Sequence, residues 1–158
     1  MKSRVEYDTA TWIITLILCL VFIGSLCLTY REPVGFIAIA AIAVPTCFIS
    51  LFFAPISITA DENKILIRAP FKTRSISMSE IVRVERYTPW RNTIRICASG
   101  GFMGYWGTFR DSRIGRYTGY WGNNKQCFLL TLTNGRKYLL GCKDPDAMTA
   151  YIAAHMSA

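Results

Sequence analysis

The chain is short of the residues that carry out chemistry. It has 158 residues and one histidine, His155, next to the C-terminus. No Ser-His-Asp or Cys-His set can be assembled around that histidine, and no His/Cys spacing matches a zinc site. Asp61 and Glu62 are adjacent carboxylates, but they sit in a turn signal and read as a solvated loop. Gly100, Gly101 and Gly104 lack the Lys-Ser/Thr and the strand-to-helix context that make a phosphate-binding loop. The expectation is a non-catalytic protein with no metal and no cofactor. The six cysteines contain no C-x-x-C pair, and Cys19, Cys27 and Cys47 lie in apolar runs. They read as small buried hydrophobes in a reducing compartment rather than as a disulfide framework.

Charge is missing from most of the first third. Trp12–Tyr30 and Val34–Phe53 contain no charged residue, and only Arg31, Glu32 and Pro33 separate them. A helix of about 20 apolar residues covers the roughly 30 Å of a hydrocarbon core. Two such runs with a three-residue connector predict a transmembrane hairpin, helices about 12–30 and 34–53, in a segment 1–55. A cleaved signal peptide fits poorly. Glu6 and Asp8 dilute the positive flank, a second run follows at once, and no A-x-A site separates the two. Leu26 stands where a lipoprotein signal needs a small residue before Cys27. A buried helical hairpin in a soluble protein would be shorter and would carry a polar face. Trp12 and Tyr30 bracket the first run as interfacial anchors. Pro33 suits the first residue of the second helix, Pro45 predicts a kink, and Gly24, Ser25, Gly35 and the alanines from Ala38 to Ala43 allow close helix approach.

The net charge of +8 is unevenly placed. Lys2, Arg4 and Arg31 balance Glu6, Asp8 and Glu32, so the whole excess belongs to the residues after Pro55. The positive-inside tendency then places that domain and both termini in the cytoplasm.

The part from 56 to 158 has room for one small domain. Strands are predicted at 56–60, 64–68, 74–78, 82–87, 94–97, 126–133 and 136–140, from period-two alternation between turn signals. Asn134-Gly135 reads as a two-residue hairpin turn. Asp144 as N-cap and Pro145 as first residue open a C-terminal helix, with Met148, Tyr151, Ile152 and His155 on one face. The fold class is α+β: the hairpin, then a pleckstrin-homology-like (PH-like) β-barrel of about seven antiparallel strands closed by a helix.

Gly100–Gly122 is unusual. It packs seven glycines, seven aromatics and three arginines, and repeats Gly-Tyr-Trp-Gly at 104–107 and 119–122. Rings this dense either form core or make a binding surface, since Trp, Tyr and Arg dominate binding hot spots. The candidate interaction residues are Phe102, Tyr105, Trp106, Arg110, Arg113, Arg116, Tyr117, Tyr120 and Trp121. An open barrel edge is a second route to a partner or to another copy of the chain.

The run Gly101-Phe102-Met103-Gly104-Tyr105-Trp106-Gly107, with Ile114-Gly115-Arg116-Tyr117, Gly135-Arg136-Lys137-Tyr138-Leu139-Leu140 and Asp144-Pro145-Asp146, resembles the bacterial PH-domain family. The resemblance covers roughly residues 56–155. It implies a PH-like barrel in a small bacterial protein with a membrane hairpin, and it implies no particular activity. Phosphoinositide-binding PH domains hold phosphates with basic residues in and after their first hairpin. Here that turn is Asp61-Glu62-Asn63, so the matching site is absent. Lys64, Arg68, Lys72 and Arg74 remain as candidate contacts to anionic headgroups. Basic residues among aromatics also suit single-stranded nucleic acid, but no recognition helix or RNA-binding signature is present, so no nucleic-acid partner is expected. The resulting expectation is an integral, multi-pass protein of the bacterial inner membrane. Its cytoplasmic module binds an unknown partner protein, itself or the anionic leaflet.

Overall fold

The structure, a computed structural model, describes residues 1–89 and 93–156. Residues 90–92 and 157–158, within the expected domain, lie outside the described residues.

Two helices open the chain, α1 (Thr9–Leu28) and α2 (Pro33–Phe53). Asp8 caps α1 by accepting from Thr11 N at 2.8 Å, and Pro33 begins α2. Both are long and apolar enough to cross a membrane. Their side chains remain largely uncovered: Leu20 is 60% and Ile37 66% exposed, while only Thr11, Ala43 and Ser50 are buried.

The rest is a β-domain with a C-terminal helix. A first sheet has the order β1-β2-β3-β4, from β1 (Lys2–Arg4), β2 (Ser57–Ala60), β3 (Lys64–Arg68) and β4 (Thr73–Ser77). A second has the order β5-β9-β10-β8-β7-β6. Its strands are β5 (Ile81–Arg86), β6 (Ile94–Gly101), β7 (Gly104–Asp111), β8 (Gly115–Trp121), β9 (Cys127–Leu132) and β10 (Lys137–Gly141). The fold is PH-like, but the two sheets do not close into a barrel. Ten strands are present among the described residues, against about seven expected. Two of the extra three, β7 and β8, come from the glycine-aromatic stretch.

The physical reason is burial on both faces. Phe109, Tyr117 and Trp121 point to one side of the second sheet, where they pack with Leu129 and Leu139. Trp106 and Tyr120 point to the other and join the main core. A strand apolar on both faces has no period-two alternation to read. The third addition, β1, pairs across the hairpin with β2, in the register Ser3↔Ile58. The sheet of the domain therefore includes residues that precede the helices. The pairing also departs from an all-antiparallel sheet: β10 runs parallel to β8, with Tyr138 opposite Thr118.

The main core lies between the sheets. Ile58, Ile65, Ile67 and Ile76 of the first meet Phe128, Leu130 and Leu140 of the second. Helix α3 (Pro145–His155) adds Met148 and Ile152, both fully buried. Tyr151 and His155 are half-buried and stack on each other. Asp144 sits at the N-cap position of α3, but its side chain makes no capping bond. The β9–β10 turn is one residue longer than Asn-Gly suggests. Leu132 N donates to Arg136 O around Thr133–Gly135, and of these three residues only Gly135 has positive φ. That is the three-residue hairpin with glycine in the left-handed position.

Candidate functional site at the foot of the hairpin

The domain is pinned to the hairpin by three contacts, each with its own sequence cause. The first is the segment leading into α1. Asp8 N donates to Gly122 O at 3.1 Å and Tyr7 Oη donates to Pro55 O at 2.6 Å. Glu6 accepts from Gln126 Nε2 at 2.9 Å and pairs with Lys143 at 3.5 Å. Those contacts hold the Glu6 carboxyl below its ordinary range, with the Gln126 bond as the main cause and burial opposing it. Burial pushes the Tyr7 phenol up to about 12. Gly122 makes the approach possible, because a Cβ there would lie 2.4 Å from Glu6 O.

The second contact is the β6–β7 turn, which leans on α1. Met103 N donates to Thr15 Oγ1 at 3.0 Å, and Thr15 Oγ1 also lies 3.3 Å from Gly101 O. Thr15 is one turn inside the helix from the buried Thr11, so the Phe102-Met103 tip lies alongside apolar helix rather than at its end.

The third contact is the β3–β4 turn beside the end of α2. Phe71, 66% exposed, packs its ring on Phe52 with centroids 5.6 Å apart. Next to it, Phe53 gathers a cluster. Trp106 stacks on Phe53 at 5.3 Å and 16°. The Arg74 guanidinium lies 5.5 Å from the Phe53 centroid and 5.5 Å from that of Tyr120, and Lys72 Nζ lies 6.0 Å from Phe53. These are cation–π distances. Burial raises the Tyr120 phenol, and the Arg74 charge opposes that shift.

The cross-strand register places more positive charge here. Arg4 faces Ser57, Ser57 faces Arg68, and Arg68 faces Thr73, one row at the hairpin end of the first sheet. Among the described residues no carboxylate forms an ion pair with Arg4, Arg68, Lys72 or Arg74. The arrangement is an uncompensated basic edge around exposed and stacked aromatic rings.

A family model, Bacterial PH domain, matches residues 56–155. The chain belongs to the bacterial PH-domain family. No curated protein and no solved structure matches it. A PH-like domain carried with two candidate membrane-spanning helices fits a membrane-associated module, and PH domains are generally non-catalytic.

The structure splits both groups of sequence-derived candidates. Arg68, Lys72 and Arg74 converge at the foot of the hairpin, while Lys64 lies at the opposite end of β3. Within the glycine-aromatic stretch, Phe102, Tyr117, Tyr120 and Trp121 are buried. Tyr105 is half-buried against Trp121, with centroids 5.3 Å apart, and Trp106 is half-buried against Phe53. Arg110, Arg113 and Arg116 are exposed at the far end of β7 and β8. Arg4, Phe53 and Phe71 were not singled out from the sequence. Finding Arg4 required knowing that the N-terminal segment becomes a strand. Phe71 carried a legible signal, a bare aromatic in a Pro-Phe-Lys turn.

Proposed function

We propose that α1 and α2 cross the bacterial inner membrane and that the domain is held against the cytoplasmic leaflet, where Arg4, Arg68, Lys72 and Arg74 contact anionic headgroups. The observation that carries this reading is Phe71 on Phe52. An exposed ring at a turn tip, packed on the last turn of an apolar helix, belongs in the interfacial layer. Lys72 follows it directly in sequence, and Arg74 comes two residues later. Each basic side chain near an anionic surface contributes about 1 kcal/mol. The positive excess of the domain supports the cytoplasmic side. A protein-interaction role for the aromatic rings of Gly100–Gly122 is less well supported, since four of those named are buried.

The test uses the full chain, because β1 precedes the hairpin in sequence while the rest of its sheet follows it. The protein is reconstituted in mixed phosphatidylglycerol–phosphatidylcholine nanodiscs, and the retained lipids are read by native mass spectrometry. Preferential retention of phosphatidylglycerol, reduced in the R68Q/K72Q variant, is the expected result. Equal retention of the two lipids by the wild type would overturn the reading.

A further inference from the structure

A second basic group lies at the far ends of the strands, away from the hairpin. Arg110 of β7 and Arg116 of β8 are direct cross-strand partners. Tyr138 of β10 is level with Thr118 of β8 in a parallel pair, and Arg136, in the turn just before β10, lines the same concavity as Arg116. Arg110 and Arg116 therefore form a cross-strand row, and Arg136 adds a third guanidinium from the turn that closes the same concavity. The next row toward the core is Thr108, Thr118 and Tyr138, and the one after is Trp106, Tyr120 and Leu140. The face grades from apolar core through hydroxyls to guanidinium groups. It borders a concavity of about 490 Å³ whose lining includes Thr108, Thr118, Arg116, Arg136, Asn134 and Lys137.

Like charges directly opposite each other in a sheet are destabilising. Arg110, Arg116 and Arg136 are all exposed, and among the described residues no carboxylate forms an ion pair with them. The nearby Asp111 is buried and is engaged by Arg113 N at 2.8 Å and by Thr93 Oγ1 at 3.3 Å. The row thus carries a repulsion that nothing in the described chain relieves.

We propose that this row is a docking surface for an acidic, carboxylate-rich segment of a partner protein. Guanidinium groups bind carboxylates in two-point geometry, and the Thr108–Thr118 row adds hydroxyl donors behind them. The site does not suit single-stranded nucleic acid, which needs open aromatic faces for stacking. Tyr117 is buried on the opposite side of the sheet, and Tyr138 packs against the core. The leaflet beside the hairpin does not reach it, since the strand ends that touch the hairpin are the other ones.

The experiment uses the full chain in phosphatidylcholine nanodiscs and a fluorescein-labelled oligoglutamate peptide, read by anisotropy. Saturable binding that weakens with salt, and that falls about tenfold or more in R110Q/R116Q/R136Q while R68Q/K72Q leaves it unchanged, is the expected result. The charge-reversed R116E/R136E chain is expected to lose the oligoglutamate and to bind oligolysine, which a merely unfolded variant would not do selectively. No binding by the wild type, or binding indifferent to the three arginines, overturns the proposal. Displacement of the peptide by oligothymidylate or tripolyphosphate at far lower concentration than by unlabelled peptide also overturns it, and assigns the row to phosphate ligands instead.

Discussion

The indole of Trp106 lies flat on the ring of Phe53, centroids 5.3 Å apart and planes 16° from parallel. One residue belongs to β7, the other is the last of α2, so this single stack joins the second sheet to the hairpin. Arg74 lies over the same Phe53 ring and over Tyr120. Trp106→Ala removes the largest member of the joint, and a loss of about 2–4 kcal/mol is expected, below the upper range for fully buried rings because Trp106 is only half-buried. Phe53→Ala costs less. The double variant is expected to fall short of additivity by about 1 kcal/mol, the value of a stacked pair. Denaturant unfolding of the detergent-solubilised chain measures all three. Strict additivity would mean that the rings do not couple.

Gly122 tests the close approach of the N-terminal segment. Its carbonyl accepts from Asp8 N, and a Cβ would press on the Glu6 carbonyl carbon and oxygen, backbone atoms that cannot turn aside. Gly122→Ala is expected to destabilise by about 1–3 kcal/mol, the range of an overpacked site. Gly24→Ala provides the control, since nothing lies within 4 Å of that Cβ and alanine is the better helix former. Thermal unfolding, with limited proteolysis at Val5–Asp8, separates the two. Equal behaviour of both variants would contradict the clamp.

Glu6 gives the same clamp a pH dependence. Its folded-state pKa lies below the reference value of 4.5, through the Gln126 bond first and Lys143 next. A lowered carboxyl contributes stability above the unfolded pKa and loses it as the pH falls through the folded one. The wild type is therefore expected to exceed Glu6→Ala in thermal stability near neutrality, and the gap is expected to close as the pH falls below the reference value of 4.5. The Glu6 side chain is 44% exposed, so the gap is small and shrinks in high salt. A gap that widens on acidification would reverse the assignment.

How much of this was legible depended on where each residue buries its faces. The hairpin followed from two uncharged runs, and seven strands followed from alternation. Strands β7 and β8 did not, because Trp106 and Tyr120 face one core while Phe109, Tyr117 and Trp121 face another. Strand β1 was hidden for a different reason. Lys2-Ser3-Arg4 is too short and polar to announce a strand, and its partner β2 lies beyond both helices. The basic candidates were legible by charge but not by place. Only register separates Lys64, opposite Ser77, from Arg68, opposite Thr73, and only the parallel β8–β10 pair brings the turn that carries Arg136 beside the strand that carries Arg116.

The cysteines provide a test of which side of the membrane each part faces. Burial pushes the Cys142 thiol up to about 11 and raises that of Cys127 as well, so both remain protonated and shielded at neutral pH. Cys97 on β6 is exposed, and Tyr30 in the α1–α2 connection is 78% exposed. With Cys19, Cys27 and Cys47 replaced by alanine, the only accessible native thiol is that of Cys97. A membrane-impermeant maleimide added to spheroplasts is expected to spare it until the membrane is permeabilised. In the same background, Tyr30→Cys is expected to react before permeabilisation, because a hairpin that crosses twice puts its connection on the far side from the domain. Labelling of Cys97 and the Tyr30→Cys thiol from the same side would show that the two helices do not cross, and the leaflet reading of the basic edge would fall with them. Labelling of Cys97 alone in intact spheroplasts would keep the crossing but reverse it, placing the domain outside.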